Sequence, residues 1–242
     1  MSKRFKRLLT LGIALVIMMT MLGTFAECFH IKHLPFFFFD IEKAFASKSS
    51  SKPEIDAGDW KYKLVNMNNP LGGDYDVELL ETRDGCFFDA RAVGELEAML
   101  DKGREEGMEL ALVSGYRSYE YQKGLHERRI ERLVGEGYSY EDAVSTAPTI
   151  VARPGESEHN IGLAVDIVSQ SYPVLNSGFA DTAEGRWLSA NCAQFGFILR
   201  YEAEKQPITG VIYEPWHFRY VGREAAEYIM AEGICLEEFL LN

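Results

Sequence analysis

Residues 157–167 read Ser157-Glu158-His159-Asn160-Ile161-Gly162-Leu163-Ala164-Val165-Asp166-Ile167. The second half is an apolar run with one carboxylate set in its middle, and Val168 extends it. Such a run, bounded by a glycine, predicts a strand covered on both faces, which we place at Leu163–Val168. Burying the Asp166 carboxylate there costs on the order of several kcal/mol unless a cation meets it. The candidates are an arginine, a lysine or a metal. His159 stands ahead of it, and Gly162 between them permits a turn or a close backbone approach.

A second histidine lies near the C-terminus, in Tyr213-Glu214-Pro215-Trp216-His217-Phe218-Arg219-Tyr220. Two histidines and an aspartate make a three-ligand set that suits zinc and leaves a fourth position for water. Pro215 cannot donate to a sheet ladder and favours a bend or an edge. That bend can aim Glu214 at a water on the metal. The pattern H-E-x-x-H is absent, so a helix-borne zinc protease is excluded. On spacing alone, a lone histidine in a strand is more often structural.

Around these motifs the chain alternates helical and strand patterns irregularly. Residues 91–105 have helical spacing with Val93, Leu96, Met99 and Leu100 on one side. Leu110–Ser114 reads as a short strand and 119–134 as a charged helix. Within it, H-E-R-R-I-E-R-L (126–133) reads as a solvated face. A helix over 183–194, strands at Phe197–Arg200 and Trp216–Val221, and a closing helix over 223–232 complete the pattern. The fold class is α+β.

Hydrophobic residues make up 47% of the 242, enough for a packed core, and the formal net charge is -12. Residues 1–52 carry eight Lys/Arg against three Asp/Glu, so the remainder holds a net -17. An acidic body lacks the basic patches that neutralise phosphates, so no nucleic-acid partner is expected. Cys28, Cys86, Cys192 and Cys235 show no C-x-x-C spacing; a single disulfide is possible without a choice of pair.

Met1-Ser2-Lys3-Arg4-Phe5-Lys6-Arg7 precedes Leu8–Ala26, 19 residues without a charge. That length suits a membrane-spanning helix with its basic flank inside, and no convincing cleavage site follows. The expectation is a signal anchor over 1–26, a juxtamembrane linker over 27–59 and a catalytic domain over 60–242. The catalytic domain then lies outside the cell membrane; secretion after cleavage is the alternative. The linker holds Phe36–Phe39, read as a greasy segment at the bilayer surface, and the polar tether 47–53. Full-length protein in the membrane pellet checks the anchor; protein in the medium starting near Glu27 or Ser47 rejects it.

S-E-H-N-I-G-L-A-V-D-I, E-P-W-H-F-R-Y-V-G and the upstream S-G-Y-R-S-Y-E-Y-Q (114–122) occur in one order. Together they resemble the D-alanyl-D-alanine carboxypeptidase family of VanY type, over Lys61 to about Tyr228. The resemblance implies a small α+β zinc peptidase fold of the hedgehog type. It makes His159, Asp166 and His217 the Zn2+ ligands and Glu214 the catalytic base. Arg117 matches the arginine that contacts substrate and steadies the oxyanion, while Ser157 and Gln122 match positions lining the substrate pocket. A capping serine and a helix-surface glutamine are the plainer alternatives for the last two. His126, His30 and His33 are not assigned to the metal. The implied activity is removal of the C-terminal D-alanine from peptidoglycan stem peptides. An L,D-carboxypeptidase acting on tetrapeptide stems shares the motifs. A catalytically silent wall-binding or sensor domain is the reading from another class, and an intact Glu214 with all three ligands argues against it.

Overall fold

The computed structural model describes residues 52–56 and 58–241. The expected anchor, the Phe-rich segment, His30, His33 and Cys28 lie outside the described residues. Among the described residues no helix is long and apolar enough to cross a membrane.

A hairpin of β1 (Leu79–Glu81) and β2 (Phe87–Asp89) leads into α1 (Val93–Glu105). Leu96, Met99, Leu100 and Gly103 of α1 are buried, the helical stripe that the sequence spacing predicts. Next come β3 (Leu110–Ser114), α2 (Tyr119–Gly135) and α3 (Tyr140–Thr146). Ser118 caps α2 by accepting from the Tyr121 N–H, and Ser139 caps α3 by accepting from Asp142. A 3-10 turn, Glu158–Ile161, then feeds β4 (Ala164–Ser169). The chain continues through α4 (Ala183–Asn191), β5 (Phe197–Leu199), α5 (Gln206–Thr209) and β6 (His217–Tyr220). It closes with α6 (Arg223–Glu232) and α7 (Leu236–Leu241).

The main sheet has the order β3-β4-β6-β5, and every neighbouring pair is antiparallel. All six residues of β4 are buried, as its unbroken apolar run predicts. Ile161, Val165, Phe218, Phe197 and Leu188 join α1 in the principal core. A second cluster packs α6 and α7 around Ile229, Leu236 and Phe239.

Three sequence readings are corrected here. The helix 223–232 does not end the fold: Cys235 opens a further turn, and Leu236 and Phe239 bury α7. The charged face of α2 is not simply solvated. His126 is buried with Nδ1 2.7 Å from the Val151 carbonyl, and Leu133 is buried too. Segment 147–152 folds over that face, a long-range contact that local charge patterning cannot register. Finally, Cys86, Cys192 and Cys235 are free thiols, and burial pushes Cys192 up to about 12.

Candidate metal centre and active site

The sheet register assembles the site. Asp166 on β4 sits directly opposite His217 on β6 and also faces Ser114 at the end of β3. The β3 register shifts between Leu112 and Ser114, an irregularity that re-aims the strand end. His159 arrives from the 3-10 turn, which Gly162 closes in the left-handed region at φ 70°. A Cβ at Gly162 would lie 3.2 Å from the backbone nitrogen of Asp89, so glycine suits both the conformation and the space.

Of the cations foreseen for it, Asp166 meets an arginine, and two histidines face it as well. Its Oδ2 accepts from the Arg117 guanidinium at 2.5 Å. Its Oδ1 lies 3.1 Å from His217 Nδ1 and 3.3 Å from His159 Nε2. A tetrahedral centre with ligands at about 2.0–2.2 Å spaces its ligand atoms by roughly 3.3–3.5 Å. One ligand atom from each of His159, Asp166 and His217 lies within 4.8 Å of the others, and all three residues are buried.

The other ring nitrogens fix which atoms face inward. His159 Nδ1 donates to the Gly115 carbonyl at 2.6 Å, leaving Nε2 buried and without a hydrogen-bond partner. His217 Nε2 lies 3.7 Å from Glu158 Oε2, beyond hydrogen-bond distance, and Nδ1 faces Asp166. The Gly115 hydrogen bond selects the tautomer of His159, as such outer contacts do for a metal-ligating histidine. The donor set therefore fits a divalent metal.

Charges within the site differ sharply. Burial, helped by the nearby Arg117 charge, lowers His159 to about 4, so its ring is neutral and free to ligate. Burial opposes charge on His217 as well, but its contacts with Asp166 and Glu158 prevail and raise it to about 9. Burial also opposes charge on Asp166, yet His159 and Arg117 hold it well below the usual carboxylate range. Glu214 is pushed up to about 8, chiefly by burial, with the charges of Asp166 and Glu158 adding to the effect. A buried carboxyl titrating near neutrality is the environment of a general base.

Pro215 and Trp216 carry the chain from Glu214 into β6, and Glu214 Oε2 lies 3.7 Å from His217 Nδ1. Arg117 is pinned in place. Its Nε donates to Ser114 Oγ at 2.8 Å, and Nη1 reaches Gln122 Oε1 at 3.4 Å. Gln122 is buried and donates to the Ala152 carbonyl at 2.8 Å, so it is not a surface glutamine. Ser157 precedes the 3-10 turn but makes no side-chain capping bond. Ser157, Gln122, Arg117, Glu214 and the three candidate ligands all line one cavity of about 310 Å³. Tyr116 and Tyr220 stand outside that lining, whereas Trp216 and Tyr201 are part of it.

Two features escaped the sequence reading. Tyr201 packs against His217 with ring centroids 4.8 Å apart and the planes tilted by 45°. Glu158 is fully buried, and its Oε1 meets Arg200 Nε at 2.8 Å and Arg219 Nη1 at 3.0 Å. Arg200 in turn pairs with Glu237 of α7 through two contacts of 2.6 and 2.9 Å. These partners come from distant parts of the chain. The one local signal was a carboxylate immediately before His159.

An antiparallel sheet carrying a buried His-Asp-His group, with a carboxylate at its edge, defines a metallopeptidase site. The comparisons agree. The family described as VanY, D-alanyl-D-alanine carboxypeptidase, matches residues 86–223. The chain belongs to this family. It is 41% identical over 194 residues to a D-alanyl-D-alanine carboxypeptidase of Enterococcus faecalis, covering 79% of this chain and 70% of that one. Among solved structures it resembles a mutant of the vancomycin-resistance D,D-pentapeptidase VanY of the VanB-type cassette, in complex with Zn(II). The TM-score is 0.69 at 41% identity, over 75% of this chain and 99% of the other. It also resembles the LD-carboxypeptidase LdcB, with TM-score 0.62 and 39% identity over 74% and 84% of the two chains.

Proposed function

We propose that this chain is a zinc carboxypeptidase that removes the C-terminal D-alanine from peptidoglycan stem peptides. The observation that carries this reading is the convergence of His159, Asp166, His217 and Glu214 in one cavity, in a chain of this family. His159 Nε2, Asp166 Oδ1 and His217 Nδ1 are the atoms that would hold the zinc. Bound there, zinc would supply polarisation of the scissile carbonyl, a more acidic water and a field that favours the ionised form of Glu214.

The protein groups do the rest. Glu214 takes the proton of the attacking water and returns it to the leaving D-alanine amine. Arg117, fixed by Asp166, Ser114 and Gln122, offers a preorganised positive charge to the developing oxyanion or to the terminal carboxylate. Asp166 and Arg117 support each other, so each also sets the other's position.

Release of D-alanine from synthetic peptides tests the reading. A pentapeptide ending in D-Ala-D-Ala is expected to lose one D-alanine, and its C-terminally amidated form is expected to resist. Cleavage of the amidated peptide or of an internal bond rejects the carboxypeptidase assignment. Loss of D-alanine from the tetrapeptide alone moves the enzyme to the L,D class, to which LdcB belongs by its description.

A further inference from the structure

The cavity continues past the metal-site residues along α2. Gln122, Leu125, Arg129 and Arg132 recur at helical spacing, so they share one face, and all four line the cavity that holds His159 and Glu214. The two arginines lack adequate partners. Arg129 Nε is buried with no hydrogen-bond partner, and the nearest carboxylate to its guanidinium, Glu136, stands off at 3.9 Å. Among the described residues no carboxylate pairs with Arg132. Residues 53–242 carry a net -17, so acidic side chains are plentiful, yet this wall is left positive. Arg129 is partly buried at this wall and Arg132 beside it is exposed; guanidinium groups so placed on a cavity favour an anion, most of all a planar carboxylate that accepts two parallel N–H bonds.

Position limits which carboxylate it is. At 1.5 Å per helical residue, Arg129 and Arg132 lie about 10 and 15 Å along the axis from Gln122. An extended peptide advances ~3.4 Å per residue, so the gap spans about three or four residues. We propose that Arg129 and Arg132 form a carboxylate subsite for an acidic residue of the substrate upstream of the scissile bond. This rests on the carboxypeptidase reading and deepens it. The terminal D-alanine occupies the end at Arg117 and Gln122, and the peptide runs along α2 toward the arginines. Two stem-peptide groups have this chemistry: the α-carboxylate of a γ-linked D-glutamate at the second residue, three residues from the end, and the carboxylate at the tip of the long diaminopimelate side chain at the third, two residues from the end.

The experiment uses the zinc-loaded protein and matched pentapeptides. One pair differs only in free acid against carboxamide at the second residue, with lysine third. The other pair differs only at a diaminopimelate carboxylate. A diacetyl-L-Lys-D-Ala-D-Ala tripeptide, which carries neither of these carboxylates, serves as the reference. One acid is expected to exceed its amide in kcat/KM by roughly 10- to 100-fold, the range for a hydrogen bond to a charged group. The pair that responds identifies the carboxylate. Arg132→Met and Arg129→Met are each expected to shrink that ratio, and the double variant to bring it near one. Tripeptide turnover should stay within about twofold of the parent. A ratio near one for both pairs in the parent protein overturns the subsite, as does a ratio that survives the double variant. If no peptide is hydrolysed, the carboxypeptidase reading fails by itself. Calorimetric binding of the same pairs then still decides the subsite by the same ratios.

Discussion

Glu214→Gln is expected to lower kcat by roughly 10²- to 10⁴-fold while zinc remains bound at about one per chain. The carboxamide keeps the shape of the side chain but cannot accept the water's proton. Glu214 is a neighbour of His217 at 3.7 Å rather than one of the three ligand-bearing residues, so its loss leaves the donor set intact. His159→Ala and Asp166→Ala behave differently. Each removes a donor from the set, and elemental analysis after dialysis should show zinc well below one per chain. Asp166→Ala also frees Arg117 from its strongest partner and should cost more turnover than lost metal alone explains. Near-normal turnover in Glu214→Gln moves the base to another group and undoes the mechanism. Stoichiometric zinc in both ligand variants would falsify the donor assignment.

The parts of this site that were legible in sequence are those in which local pattern and chemistry coincide. Asp166 stood out because an apolar strand tolerates a carboxylate only beside a cation, and β4 is buried at all six positions. His159 stood out because Gly162 marks the turn that returns it to the strand. The pairing of Asp166 with His217 is a property of the β4–β6 register, and no local pattern encodes it. The motif resemblance alone joined them. The charge pattern of α2 misled for a related reason. Helix-surface arginines look alike in sequence, and only the packing of residues 150–152 against α2 turns Arg129 and Arg132 toward a cavity. Helix α7 escaped because a six-residue helix carries too little periodicity to register, although it supplies the Glu237 that completes a buried charge cluster.

That cluster leads to the second large effect. Glu158→Ala is expected to destabilise the protein by about 3–5 kcal/mol, the range for removing one partner of a buried ion pair. Arg219 would keep its bonds to the carbonyls of Tyr220, Lys61 and Lys63 but lose its only carboxylate among the described residues. Arg200 would retain Glu237 alone. In a protein of this size the midpoint should fall by roughly 6–20 °C. A second effect is separable from the first. Glu158 faces His217 Nε2, so its loss releases the ring that presents Nδ1 to the metal, and zinc affinity should drop about 10- to 100-fold. Glu158→Gln retains the volume and one acceptor oxygen and should fall between the parent and the alanine variant in both measurements. The pH dependence has a definite sign. Burial opposes ionisation of Glu158, but Arg200 and Arg219 prevail and hold its carboxyl below its ordinary 4.5. Its stabilisation is therefore fully present above about 4.5 and is lost as the pH falls through the lower folded value. The parent should show that acid limb, and Glu158→Gln should lack this contribution to it. Thermal melts of the zinc-free protein and competition with a zinc chelator well below the midpoint measure the two effects apart. An alanine variant that melts within about 2 °C of the parent removes the cluster from the stability of the fold. Unchanged zinc affinity in that variant removes Glu158 from the positioning of His217.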